Sequence, residues 1–377
     1  MINTLKDIII FSPKDIDLSY SPVRKSLNEE TSILGAFNPG FTELPNGNLL
    51  MMVRVAEQLL NPVESDHYKF IRWEKSTGYV LDFVTLNFLN RDDPRKYELI
   101  HLPHKTYGLT SFSWLLPVEL NRDGTGIIKI HYDKIIEPLE KYQEYGIEDP
   151  RITKIGTKYF MTACSVSSFR HSTILYSSDN GLDYKLEGMI LDHQNKDMVL
   201  FPEKIDKFYY ALTRPMGDHL FFSNIKSGSV PGPSICMARS PDLLHWKPVE
   251  NFIIQPERNS FISEKLGAGA NPLLSERGWL ILFHGVEKSG KIGIYRTLFA
   301  RLNKTQPYKI EEVNLTSPLL IAMNGLPYDL EKLSYVDDIV FTTGIVERDN
   351  IYIIASGERD LCCRITHVDK SALINFA

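Results

Sequence analysis

Apolar positions along this chain fall into short β-type runs, and almost every run is bounded by a turn signal: "PNGN", "RDGTG", "SDNGLDY", "SERGW" and "ERDNIY". Segments with helical periodicity are scarce; only "DKIIEPLEKYQEYG" and the region around "LPHKTYGLTSFSWLL" compete, and both fall in one long stretch between repeats. The pattern predicts an all-β chain. Aligned on their turns, five segments share one form: a polar or proline-bearing entrance, a short apolar strand, a turn and an apolar return strand. They are "FNPGFTELPNGNLLMMVR", "IEDPRITKIGTKYFMTAC", "LFPEKIDKFYYALTRP", "GANPLLSERGWLILFHG" and "FTTGIVERDNIYIIASG". Five such hairpins predict a five-bladed β-propeller built as one domain over residues 1–377, with insertions accounting for the uneven spacing. A pair of β-sandwiches would also show many short strands but gives no reason for five similar entrances. "SSDNGLDY" and "SPDLLHW" share a Ser-x-Asp form suited to turns at blade edges. The first thirty residues either close the ring against the last repeat or pack on a neighbouring subunit of a homo-oligomer.

Composition narrows the function classes. Hydrophobic residues make up 43% and charged residues 24%, with a formal net charge of -5, so no broad basic surface invites nucleic acid or an anionic membrane. The early run "DIIIFSP" is too short for a signal segment or a membrane span, and the expected location is cytoplasmic. Cys164, Cys236, Cys362 and Cys363 show no CxxC or Cys/His spacing and read as packed, reduced thiols. No clustered histidine spacing points to a metal.

The entrances carry the candidate chemistry. If each repeat holds the same place in its blade, Asn38, Asp149, Glu203, Asn271 and Thr343 converge at one end of the central channel and line a polar cavity. Taken singly, such groups cap strand ends or pair with neighbouring cations; taken together they favour a site. Cations recur at the same places: Arg54, Arg151, Lys196, Lys204, Arg214 and Lys265, with His284 ending "WLILFHG". Acid and cations together suit a reaction that needs a proton donor and an anion pocket. Salt bridging at strand ends is the plainer reading for Arg151 and Lys204, which sit beside carboxylates.

The ordered series "NPGF…LLMMVR", "GIEDPRITKI", "KDMVLFPEKI…YYALTRP", "LGAGANPLLSERGWLILFHGV" and "FTTGIV…ASGERD" resembles glycoside hydrolase family 130, the β-mannoside phosphorylases and β-mannosidases. The resemblance runs over about residues 35–365 and implies a five-bladed propeller. It also implies inversion at a mannosyl anomeric centre, with Asp149 as general acid passing its proton through a sugar hydroxyl. A phosphate nucleophile needs cations to hold it and no general base, whereas an inverting hydrolase needs a second carboxylate about 6.5 to 9.5 Å from the acid.

In family phosphorylases an Arg-Asn pair, an arginine after the next strand and a lysine before the Gly-Ala-Gly motif hold the phosphate. The last two correspond here to Arg214 and Lys265, and His284 joins the phosphate set. Lys196-Asp197 replaces the Arg-Asn pair, which loses the bidentate fork and adds a negative charge. Asn38, Arg54, Arg151, Asp197, Glu203 and Asp360 are the expected sugar-binding residues. Asp197, Glu203 and Glu264 are the carboxylates that would activate water if the enzyme were a hydrolase.

The leading expectation is reversible, inverting phosphorolysis of short β-linked mannosides, β-1,2-mannooligosaccharides among them, to mannose 1-phosphate. Inorganic phosphate is the co-substrate and no cofactor is required. A β-mannosidase or a β-mannosyltransferase on the same scaffold, and a non-catalytic glycan-binding propeller, are the alternatives.

Overall fold

A computed structural model describes residues 2–216 and 232–375. The all-β expectation holds: among the described residues the α-helices are the short Pro22–Leu27, Tyr328–Glu331 and Lys370–Asn375. No helix among them is long and apolar enough to cross a membrane. The two segments that competed as helices are not helical. The chain around Pro138 passes through the 3-10 turns Tyr132–Lys134 and Lys141–Gln143, and "FSWLL" opens the strand Phe112–Leu120. Pro138 supplies no backbone N–H and would clash with the preceding turn of a helix, so the apolar spacing there cannot be used helically.

Five antiparallel sheets follow one another along the chain. The first takes Thr31–Glu43, Leu49–Leu59, Phe112–Leu120 and Ile127–Ile130; the second Ile147–Ile155, Lys158–Val166, His171–Ser178 and Lys185–Leu191. The third takes Asn195–Leu200, Tyr209–Pro215, Ile235–Ser240 and Lys247–Ile254. In the fourth, Lys265–Ala268 and Leu273–Ser275 both pair with Gly278–Glu287, which continues to Ile294–Leu302 and Ile310–Asn314. The fifth takes Val340–Arg348, Ile351–Glu358 and Cys362–Asp369 and is completed by the N-terminal strand Thr4–Phe11. Arg364 bonds the Asp7 carboxylate through two nitrogens (2.7 and 2.6 Å) and Glu358 through a third (2.9 Å), so the pairing of the two chain ends carries charge-assisted bonds as well as the ladder.

The apolar runs explain how the sheets pack. Successive side chains of a strand point to opposite faces, so a continuous apolar run is buried on both. In the first sheet Leu50 and Met52 pack with Ile152, Met161 and Tyr176 of the second, while Leu49, Met51 and Val53 pack with Ile353 and Ile365 of the fifth. In the fourth sheet Trp279, Ile281 and Phe283 meet Val199, Phe201 and Leu212 of the third, and Leu280 and Leu282 meet Val340, Tyr352 and Ile354 of the fifth. Leu175 of the second sheet meets Met198, Leu200 and Ala211 of the third. Each sheet therefore packs on the next in chain order, and the fifth on the first. Every leucine or isoleucine fully buried in these seams stabilises the fold by roughly 1.5–3 kcal/mol. The four cysteines are unpaired, and burial pushes the Cys164 thiol up to about 12.

The two Ser-x-Asp segments form matching turns. Ser178 Oγ accepts from the backbone of Asn180 and Gly181, and Ser240 Oγ from Asp242 and Leu243. In the second sheet the equivalent serine is thus Ser178, one residue later than the shared form suggests.

A further repeat lies in the first strands. Pairing slips by a bulge between Phe37 and Gly40, between Glu148 and Arg151, between Lys196 and Val199, and between Thr342 and Gly344. Three of these bulges place an Asn or Asp at positive φ: Asn38 (48°), Asp149 (50°) and Asp197 (56°). Short polar side chains tolerate that left-handed backbone, and a bulge re-aims its side chain out of the pleat.

Candidate active site

The bulges bring Asn38, Asp149 and Asp197 together, and Thr343 joins them by donating from Oγ1 to the carbonyl of Pro39 (2.6 Å). Glu203 does not. It lies beyond the end of Asn195–Leu200, on the exposed turn that precedes the Ile205–Phe208 bridge, at the opposite end of the third sheet from the Lys196–Arg214 pair. The third segment carries its proline elsewhere: Pro39 and Pro150 follow bulge residues, whereas Pro202 lies beyond the strand and precedes Glu203. Asp197 holds the place in the third sheet that Glu203 was expected to hold. Lys204, in the same turn, lies over Tyr209 (4.5 Å).

Asp149 and Glu148 form the upper layer of the site. Asp149 Oδ1 accepts from Asn38 Nδ2 (2.9 Å) and Arg54 Nη1 (3.0 Å), and both bonds fall on that one oxygen. Glu148 accepts from Arg54 Nη2 (2.8 Å) and Lys196 Nζ (2.8 Å). Arg54 is itself fixed by Ser113 Oγ (3.0 Å) and by the face of Phe37 (4.9 Å). Burial alone would raise the pKa of both carboxyls, but Arg54 and Lys196 outweigh it: Glu148 falls to about 2 and Asp149 is held well below the usual carboxylate range. Asn38 needs close approach from the fifth sheet, because a Cβ at Gly357 would come within 1.9 Å of its Oδ1.

Beneath this layer lies a dry ion network. Asp197 Oδ2 is 2.7 Å from Arg214 Nη1, and Oδ1 is 3.7 Å from Arg151 Nη2. The Arg151 and Asp197 side chains are each only 1% exposed. Arg151 does not touch the Asp149 carboxylate; it donates to the carbonyls of Asp149 (2.9 Å) and Gly269 (2.7 Å), bracing the bulged backbone. Arg214 Nη1 donates to His284 Nε2 (3.0 Å), which places the imidazole proton on Nδ1. His284 is wholly buried, and burial followed by the charges of Arg214, Arg151 and Lys265 keeps it neutral. Gly267 permits this packing: a Cβ there would lie 2.1 Å from Asp197 Oδ2. The negative charge of Asp197 is thus shared between two arginines.

Lys265 lies over Tyr295 (5.2 Å), and its charge acts on both His284 and Lys96. Asp360 sits at a turn whose central residues Arg359 and Asp360 both have positive φ (52° and 48°), closed by the Leu361 N–H to the Glu358 carbonyl (3.0 Å), as a type I′ turn demands. Burial raises its pKa, with Arg95 and Arg54 opposing. Sequence reasoning left out Arg95, Lys96 and the pairing role of Glu148. Glu148 stands inside the quoted Glu-Asp-Pro-Arg motif. Arg95 and Lys96 belong to "RDDPRKYE", whose charge density reads as a solvated face.

Around Asp149 the cations outnumber the carboxylates: Arg54, Lys96, Arg151, Lys196, Arg214 and Lys265 against Glu148, Asp149, Asp197 and Asp360, with Arg95 matched by its own partner Asp93. Burial, then Arg95, Lys196 and Lys265, lower the pKa of Lys96 against the pull of Asp93. Such an arrangement favours an incoming anion. Among the described residues no group of His, Cys, Asp and Glu is arranged to hold a metal ion.

The site predicts a two-stage acid response. Burial and the Lys196 charge push His171 from 6.5 down to about 4. A histidine kept neutral in the folded state but free to protonate when unfolded leaves stability intact above 6.5 and removes it as pH falls toward 4. Glu148, depressed from 4.5 to about 2, contributes stability above 4.5 that is lost as pH falls toward 2. Urea midpoints measured against pH should decline over both windows, and His171→Gln should make the first decline shallower without removing it, because His284, also kept neutral by burial, destabilises the fold over the same range. A variant that tracks the native protein between 6.5 and 4 would show that another group is responsible.

Comparison with known proteins supplies further findings. Residues 89–377 match the model of glycoside hydrolase family 130, described as β-1,4-mannooligosaccharide phosphorylase. The chain is 29% identical over 348 residues to a β-1,2-mannobiose phosphorylase of Listeria innocua, covering 89% of each. It is 30% identical over 263 residues to a 1,2-β-oligomannan phosphorylase of Thermoanaerobacter sp., covering 68% of this chain and 78% of that one. The solved Listeria innocua β-1,2-mannobiose phosphorylase in complex with β-1,2-mannobiose superposes with a TM-score of 0.79 at 26% identity, over 97% of this chain and 96% of that one.

Proposed function

The chain belongs to glycoside hydrolase family 130, and from that premise we propose that it is a β-mannoside phosphorylase acting on short β-1,2-linked mannosides, with one five-bladed propeller as its scaffold. The observation that carries the reading is the excess of cations around Asp149. Phosphate brings its own negative charge to such a place and needs no base to activate it. The carboxylates that could activate water are poorly suited to do so. Glu203 and Glu264 are exposed, Glu203 at the far end of its sheet, and Asp197 is 1% exposed and committed to two arginines.

In this reading Asp149 is the acid. Asn38 and Arg54 hold one carboxylate oxygen and leave Oδ2 for a substrate hydroxyl. The free protein keeps Asp149 ionised, largely through Arg54 and Lys196. A phosphate anion settling against Lys196 offsets part of that field and raises the affinity of Asp149 for a proton, so nucleophile binding and acid loading are coupled. Attack from the face opposite the leaving oxygen inverts the centre, turning a β-mannoside into α-mannose 1-phosphate. Lys196 supplies a point charge, while Arg214, held by Asp197 and His284 from behind, supplies a planar donor edge. His284 then positions Arg214 instead of touching phosphate.

The linkage rests on the β-1,2-mannoside relatives, which match nearly the whole chain. The test is consumption of β-1,2- and β-1,4-mannobiose with and without inorganic phosphate. Consumption that requires phosphate, faster on the β-1,2 isomer, is expected. Equal mannose release without phosphate would return the chain to the hydrolase alternative.

A further inference from the structure

Between the second and third strands of the first sheet, residues 60–111 form two small sheets that have no counterpart among the described residues of the other four repeats. Val63–Glu64, His67–Glu74 and Gly78–Thr85 make one, and Leu89–Asp93, Lys96–Leu99 and Tyr107–Leu109 the other. The turn between Asp93 and Lys96 reaches two distant parts of the chain. Asp92 pairs with Lys291, in the loop after Gly278–Glu287 of the fourth sheet, and Arg95 approaches Asp360 at the turn of the fifth.

We propose that Arg95 is a substrate-contacting residue which, with Asp360, grips adjacent hydroxyls of the mannosyl unit and so sets the enzyme's selectivity for that sugar. The inference rests on the mannoside reading of the site. Its geometric basis is the way the guanidinium is held. Asp93 fixes one edge, accepting from Nε (3.1 Å) and Nη2 (3.2 Å) while also accepting from the Arg95 backbone N–H (3.0 Å). The remaining nitrogen, Nη1, stands 3.9 Å from Asp360 Oδ2. That separation is within Coulomb reach but too long for a hydrogen bond, so the donor and the acceptor face each other with their directional bonds unmade.

A sugar hydroxyl both donates and accepts, and two neighbouring hydroxyls can take Asp360 as acceptor and Arg95 as donor at once. Both side chains are accessible, at 31% and 15% exposure, unlike the sealed Arg151–Asp197 pair below. Asp360 also feels the charges of Arg54 and Asp149, which puts the clamp at the reacting centre and not on a remote surface. Because Arg95 comes from an insertion, the rest of the repeat scaffold can keep its chemistry while this turn varies the sugar that fits.

The experiment is calorimetric titration of the full chain with β-1,2-mannobiose without phosphate, and separately with inorganic phosphate, for the native protein, Arg95→Ala and Arg95→Lys. Loss of one charge-assisted bond to the sugar should weaken mannobiose binding about ten- to a hundredfold in Arg95→Ala. Arg95→Lys should recover part of it, and phosphate affinity should stay within about twofold. Unchanged mannobiose binding in Arg95→Ala would overturn the assignment, as would a parallel loss of phosphate and sugar binding. A native protein that binds phosphate but no mannobiose would overturn the mannoside reading itself, and the clamp with it.

Discussion

Asp149→Asn is expected to lower kcat/KM on a β-mannoside by about a thousandfold or more, within the range by which general acids contribute, while leaving the fold and phosphate binding in place. The amide oxygen of an asparagine at 149 can still accept from Asn38 Nδ2 and Arg54 Nη1 at the present distances of 2.9 and 3.0 Å. Arg54 keeps a carboxylate partner in Glu148 (2.8 Å), so the change removes one charge without stranding a cation. What it removes completely is a carboxyl able to deliver a proton toward the leaving oxygen. Steady-state kinetics together with phosphate titration separate these effects. A fall in kcat/KM of less than tenfold, with phosphate affinity unchanged, would mean that the proton comes from elsewhere.

Asp197→Ala should cost about 3–5 kcal/mol of stability, the range for stranding a buried charge by deleting its partner. Arg214 loses a carboxylate at 2.7 Å, Arg151 loses one at 3.7 Å, and the space beside Gly267 opens into a void. Asp197→Asn retains the volume and should lose less, which divides the charge contribution from the cavity contribution. Urea unfolding of the three proteins measures both. A loss below about 1 kcal/mol in the alanine variant would show that the two arginines find other partners and that Asp197 is not the counter-ion described here.

The contrast between these two acids shows where the sequence was readable. Asn38 and Asp149 announce themselves because each precedes a proline in a similar hairpin, and residues before proline avoid the helical region. Asp197 follows the same backbone path at φ 56°, but Met198 stands where proline is found in the other two, so no proline marks Asp197 as the equivalent entrance, and the segment aligned on its turn began at Leu200 and offered Glu203. Registers settle what residue types could not: the bulge lies between Lys196 and Val199.

Lys196 and Arg214 were legible as ends of adjacent strands and turn out to be direct cross-strand neighbours. His284 was read as an anion ligand from its place after "WLILF", yet the alternation of that strand buries its ring against Phe341 (4.4 Å) and behind Arg214. Arg95 was beyond reach because residues 60–111 repeat nothing. Only the folded chain reveals that a turn from the first sheet ends beside Asp360 in the fifth. The all-β class, by contrast, follows from apolar runs whose even and odd positions pack against different neighbouring sheets, as Leu280 and Ile281 do.

The most direct test of the central claim, that cations around Asp149 deliver phosphate to a β-mannosyl centre, is phosphorus NMR of the native protein turning over β-1,2-mannobiose in phosphate buffer. The account predicts that the inorganic phosphate signal declines in step with the appearance of a single sugar phosphate of α configuration. Free mannose accumulating while the phosphate signal stays constant, or a β-configured product, would contradict it.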